Sequence, residues 1–164
     1  MSSPQRLLCP EPVPAFIFFI SLLAAAGSAA GANPSLQLEA KNNELGKVKS
    51  IAESQHEIVL LLMEKKQFGE ALTEANKIFE MNWPENQEPV LLKELLNLAD
   101  RFMHKDQAAL GLQLLETNQR TFKSTPSQIA LWKERGYLLK KMNQTDKALA
   151  CFREAQRLEK SSSH

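Results

Sequence analysis

In the stretch WKERGYLLKKMNQTDKALACFREAQRLE, residues 132–159, very large and very small side chains share one helical rhythm: Trp132, Gly136, Ala148, Phe152 and Ala155. A single isolated helix has no use for that mixture. Two helices folded back on each other do, because Gly and Ala let backbones approach while Trp and Phe fill the space on either side. The spacing therefore predicts a helical hairpin, with its second helix opening at Thr145. It points to a binding surface, not to an active site.

The rest of the chain repeats the theme. Leu45, Val48, Ala52, Ile58, Val59 and Leu62 recur at three- and four-residue steps and predict a first helix, ending near KKQFGE, where Gly69 offers a permissive joint. Ala71, Leu72, Ala75, Ile78 and Phe79 mark a second, stopped by Pro84. Leu92, Leu95, Leu96 and Ala99 mark a third, and Ala108, Leu112 and Leu115 a fourth. The fifth starts at TFKSTPSQ, where Thr125 is placed to cap and Pro126 suits the first helical position. Leu, Ala, Glu, Lys and Gln are abundant, and alternating β-branched runs are missing, so the expected class is all-α.

The first 32 residues differ. Pro12 to Leu38 carries no charge and contains AFIFFISLLAAA, residues 15–26, preceded by Arg6 and followed by small residues. That order is expected of a secretory signal, cleaved at Ala30-Gly31-Ala32 or at Ser28-Ala29-Ala30. An uncleaved anchor is the alternative, although the apolar run falls short of the roughly 20 residues that span a bilayer. The expected location is thus exported, periplasmic or secreted, or else tethered to a membrane through the N-terminus. Residues 33–43 read as a polar linker, 44–160 as the helical domain and 161–164 as a polar tail. Of two cysteines, Cys9 would leave with the signal, and Cys151 reads as a small buried hydrophobe.

Three helix pairs of similar length prompt a search for internal repeats. Aligning them on the alanine that opens each second helix gives Ala71, Ala108 and Ala148. Twelve residues earlier stand Val59, Leu96 and Gly136; the slots sixteen and nine before, and four and seven after, are apolar except at Gln55. In the third pair, Trp132, Gly136, Leu139, Ala148, Phe152, Ala155 and Leu158 resemble the tetratricopeptide repeat, whose pattern is W-x2-L-G-x2-Y, then A-x3-F, then P. Arg135 replaces the usual Leu, and Lys160 the closing Pro. The resemblance covers roughly residues 52–162; the first pair keeps Phe68, Ala71 and Trp83-Pro84, and the second only the apolar skeleton.

The resemblance implies a right-handed α-solenoid of about three hairpins whose first helices line a concave face that binds a protein or peptide. Carried over by position, that face is Glu53, His56, Leu60, Met63 and Glu64, then Lys93, Asn97, Asp100 and Arg101, then Lys133, Tyr137, Lys140 and Lys141. It would run from acidic and apolar at one end to basic at the other. Lys93 with Asn97 is similar to a pair with which some family members hold a C-terminal carboxylate. An ordinary helical bundle with the same core is the plainer reading of the residues. The three histidines lack metal-ligand spacing, no nucleotide-binding or hydrolase motif occurs, and a net charge of +1 speaks against nucleic acid. No cofactor and no catalysis are expected. A self-associating or membrane-tethered assembly factor is the alternative function, because little chain follows the last helix to cover its outer face.

Overall fold

The computed structural model describes residues 34–162, all of it built from helices and turns. Six α-helices follow in order: α1 (Pro34–Glu64), α2 (Phe68–Glu80), α3 (Glu88–His104), α4 (Ala108–Asn118), α5 (Thr125–Lys141) and α6 (Thr145–Ser162). Short 3-10 turns at Glu85–Gln87 and Gln119–Thr121 precede α3 and follow α4. The signal and anchor readings fall outside the described residues.

Consecutive helices form three hairpins, α1/α2, α3/α4 and α5/α6, and the hairpins join through α2 with α4, α3 with α5 and α4 with α5. All three turn in the same way. Lys66, Asp106 and Asn143 take left-handed backbone, with φ of 59°, 58° and 59°. The next amide, of Gln67, Gln107 or Gln144, donates to the carbonyl of Leu62, Phe102 or Leu139 at 2.9, 2.8 and 2.9 Å. This is the six-to-one bond that closes a helix C-terminus when one residue enters the left-handed region. The joint of the first hairpin is therefore at Lys66. Gly69 lies inside α2 with open space around its Cα.

The turns also fix which residues correspond. The amides of Ala71, Gly111 and Ala148 donate to the carbonyls of those same three glutamines at 2.9, 3.1 and 3.0 Å. Gly111, and not Ala108, is thus the counterpart of Ala71 and Ala148. A slip of three residues is nearly one helical turn, so the apolar pattern of α4 fits either register. The counterpart of Val59 and Gly136 becomes Ala99, and the pair Ala99/Gly111 puts a small residue on each side of the second hairpin. A Cβ on Gly111 would stand 2.8 Å from the Ala99 carbonyl oxygen. In the third hairpin the tight contact is between Gly136 and the Phe152 ring, where an added Cβ would lie 2.7 Å from Cζ.

One core runs from α1 into α5 through Val59, Ile78, Leu95, Leu98, Phe102, Leu114 and Leu138, all fully buried. A smaller cluster of Leu139, Ala148 and Cys151, flanked by Trp132, Phe152 and Leu112, closes the third hairpin. Burying each large side chain contributes about 1.5–3 kcal/mol.

Two boundaries differ from expectation. Residues 34–43, read as linker, form the first turns of α1, because Leu, Glu, Ala, Lys and Gln favour helix even without packing. α1 is about 46 Å long against about 20 Å for α2, so its N-terminal part overhangs α2, flanking a cleft with Asn82, Trp83, Pro84 and Asn86. At α5 the cap is Ser124, not Thr125: its Oγ accepts the Ser127 amide at 3.4 Å.

Candidate functional site

Two clefts open between α1 and α3. The larger, of about 530 Å³, has a floor of Ala52, Ile78, Trp83, Val90 and Leu91 and a rim of Lys49, Glu53, His56, Glu57, Lys93, Glu94 and Asn97. The smaller, of about 350 Å³, is lined by Leu60, Met63, Glu64, Asn97, Asp100, Arg101, His104 and Lys105. Asn97 belongs to both, so they are successive parts of one groove.

Local geometry explains the placement. His56 and Leu60 lie one turn apart on α1, and Lys93, Asn97, Asp100 and Arg101 recur on α3 at three- and four-residue steps, which keeps each set on one helix face. A ring nitrogen of His56 bonds the Glu94 carboxylate across the groove and ties α1 to α3. Arg101 Nε donates to Asn97 Oδ1 at 2.8 Å, and His104 stands 3.4 Å from Asp100. Glu53, Glu57, Lys49 and Lys93 also reach the rim, and among the described residues they have no such partner. The floor is apolar and the rim carries both signs of charge, which suits a segment with an apolar side chain held between polar flanks.

The thirteen positions carried over from the sequence separate into two groups. Nine line the groove: Glu53, His56, Leu60, Met63, Glu64, Lys93, Asn97, Asp100 and Arg101. Met63 is nevertheless 2% exposed and works as floor and core, not as a free contact. The other four, on α5, line none of the clefts described. Lys133 Nζ pairs with Glu159 at 2.6 Å, and that carboxylate's hydrogen bond raises the lysine's pKa. Tyr137 packs edge-on against Phe152, with ring centroids 5.2 Å apart. Lys141 reaches back to Asp106 at 2.9 Å. Lys140 is exposed. Lys133 and Tyr137 thus turn toward α6, and the expected basic end does not continue the groove. Asn97 Oδ1 accepts from Arg101, and Lys93 stands one turn away on the same face of α3.

Sequence reasoning passed over three residues here. Trp83 enters the sequence reading as the residue before a helix-stopping proline and as part of the Trp83-Pro84 match to the repeat, not as a groove residue; its Nε1 donates to the Ile78 carbonyl at 2.7 Å and its ring forms groove floor. Glu94 carries no motif, since its value lies in a cross-helix contact. Burial, then the Asp100 charge, raises the pKa of Glu134 on α5, and its buried Oε1 has no hydrogen bond among the described residues. A mid-helix glutamate gives no sequence sign of that.

Arg135 stacks 5.5 Å over the Trp132 ring and pairs with Glu116 of the second hairpin at 2.5 Å. Cys151 is buried among these groups, and burial pushes its thiol pKa up. Among the described residues no group of His, Cys, Asp and Glu is arranged to hold a metal, and no helix is long and apolar enough to cross a membrane. No family model matches the chain, and neither a curated protein nor a solved structure matches it.

Proposed function

We propose that the chain is an exported scaffold of the tetratricopeptide kind, a right-handed α-solenoid of three hairpins that binds a protein or peptide without chemistry. The observation that carries this reading is the groove: nine of the thirteen expected contact positions line its two confluent clefts. The shared turn geometry and the hairpin-to-neighbour packing agree with stacked repeats, each covering the apolar face its neighbour leaves open. Recognition would combine an apolar side chain seated against Trp83 and Val90 with polar contacts along the rim. The C-terminal third of the site, as first expected, is not part of this proposal.

Panning a random-peptide phage library on the full chain tests it. Selected peptides should lose about tenfold in affinity, about 1.4 kcal/mol, on Val90→Arg, which places a bulky cation over the groove floor. Lys147→Glu, on the exposed face of α6, should leave them unchanged. Peptides indifferent to Val90→Arg would defeat the assignment of the groove.

A second reading, self-association, is favoured by a separate observation. Ile51, Ile58 and Leu61 are 57%, 43% and 55% exposed on the side of α1 away from His56 and Leu60. Such a stripe invites cover by another surface.

A further inference from the structure

The turn between α5 and α6 and the first residue of α6 carry the sequence Asn143-Gln144-Thr145, an asparagine followed at the second position by threonine with a non-proline between. It is the only such triplet in the chain, because Asn33-Pro34-Ser35 is blocked by its proline. A chain that enters a secretory pathway can be modified at such a triplet where it lies on a surface loop. We propose that Asn143 accepts an N-linked oligosaccharide when the chain is translocated. The inference rests on the export reading given above.

The structure presents the acceptor well. Asn143 is exposed and sits at the left-handed position of the turn, a conformation asparagine adopts more readily than most residues. Its backbone amide is engaged with the Lys140 carbonyl at 3.0 Å. Asn143 and Thr145 are both exposed, and neither side chain has a hydrogen bond among the described residues. The matching turns hold Lys66-Gln67-Phe68 and Asp106-Gln107-Ala108, which have the same backbone and no acceptor amide. Of three equivalent surface turns, one is built for the reaction. None of residues 143–145 lines the α1/α3 groove, so a glycan there leaves the groove open.

The reaction transfers a glycan from a polyprenyl-diphosphate-linked oligosaccharide. The Asn143 Nδ2 forms a bond to the anomeric carbon as the bond from that carbon to the diphosphate oxygen breaks. The polyprenyl diphosphate leaves with the electron pair, and the amide gives up one proton to a base of the transferase. Thr145 supplies the hydroxyl by which the transferase selects the triplet.

The test is translation of the full chain with rough microsomes, followed by protease protection and digestion with a peptide N-glycosidase. The protease-protected chain should run one glycan heavier, return to its bare mass after digestion, and stay bare in both Asn143→Gln and Thr145→Ala. Thr145→Ser should retain the increment in part. A protected chain of bare mass overturns the glycan and leaves export standing. An unprotected chain overturns the export reading and the glycan with it. An increment that persists in Asn143→Gln overturns the assignment to this residue.

Discussion

At Gly111 the space for a side chain is closed by backbone. A methyl group there would meet the Ala99 carbonyl at 2.8 Å, with Leu138 Cδ2 at 3.1 Å beside it. A carbonyl within a helix cannot turn aside, so the α3/α4 pair must separate. Gly111→Ala should therefore cost roughly 1–3 kcal/mol in urea unfolding, despite alanine's better helix propensity. Gly136→Leu should cost at least as much, since the Phe152 ring occupies the space. Gly69→Ala meets nothing within 4 Å and should instead stabilise by roughly 0.5–1 kcal/mol. If the Gly111 and Gly69 variants shift in the same direction, the close approach of α3 and α4 is wrong. Residue types could reveal Gly136, because Trp132 and Phe152 mark its register. They could not reveal Gly111, because α4 offers Ala108 one turn earlier and nothing in the chain's own pattern favours one over the other.

At the scale of elements, α3 and α5 are joined at their N-termini. The Glu88 carboxylate accepts the Ser124 amide at 3.1 Å and its hydroxyl at 2.7 Å. Hydrogen bonds from the Ser127 and Ser124 hydroxyls, then from the backbone, lower the Glu88 pKa from 4.5 to about 2. A carboxyl with a depressed folded pKa contributes stability that is complete above its unfolded value and is lost as pH falls through the folded one. The contribution of this junction should fade between about pH 4.5 and about pH 2. Glu88→Gln should lower the melting temperature at pH 7 and bring it level with the parent near pH 2. An equal gap at both values would mean that the charge of Glu88 is not what binds the two helix starts. The sequence showed a cap at this point but named Thr125. Ser124 takes the role because its side chain also reaches Glu88, thirty-six residues away, a contact no local pattern contains.

For the molecule as a whole, the binding reading and the self-association reading differ in what they expect of the exposed α1 stripe. A scaffold that uses its groove should hold a single-chain mass by light scattering across a wide concentration range, and Ile58→Glu should not alter it. A mass that rises with concentration and falls back in Ile58→Glu would move the interaction from the groove to the outer side of α1. The overhang of α1 enters neither reading, and its described side chains up to Glu44 are exposed.

Amino-acid order by itself determined that the described part is helical, where most of the helices lie, and that small residues stand where helices meet, because these follow from periodicity and propensity within one or two turns. The family resemblance, and not spacing alone, named the nine positions of α1 and α3 that line the two clefts; four-residue steps keep such positions on one face of each helix. Tertiary structure alone decided the register of the second hairpin, the loss of Lys133 and Tyr137 to α6, and the parts played by Trp83, Glu94 and Glu134. Each depends on which side chain of a distant helix stands opposite, and that is settled by packing in three dimensions, not by spacing along the chain.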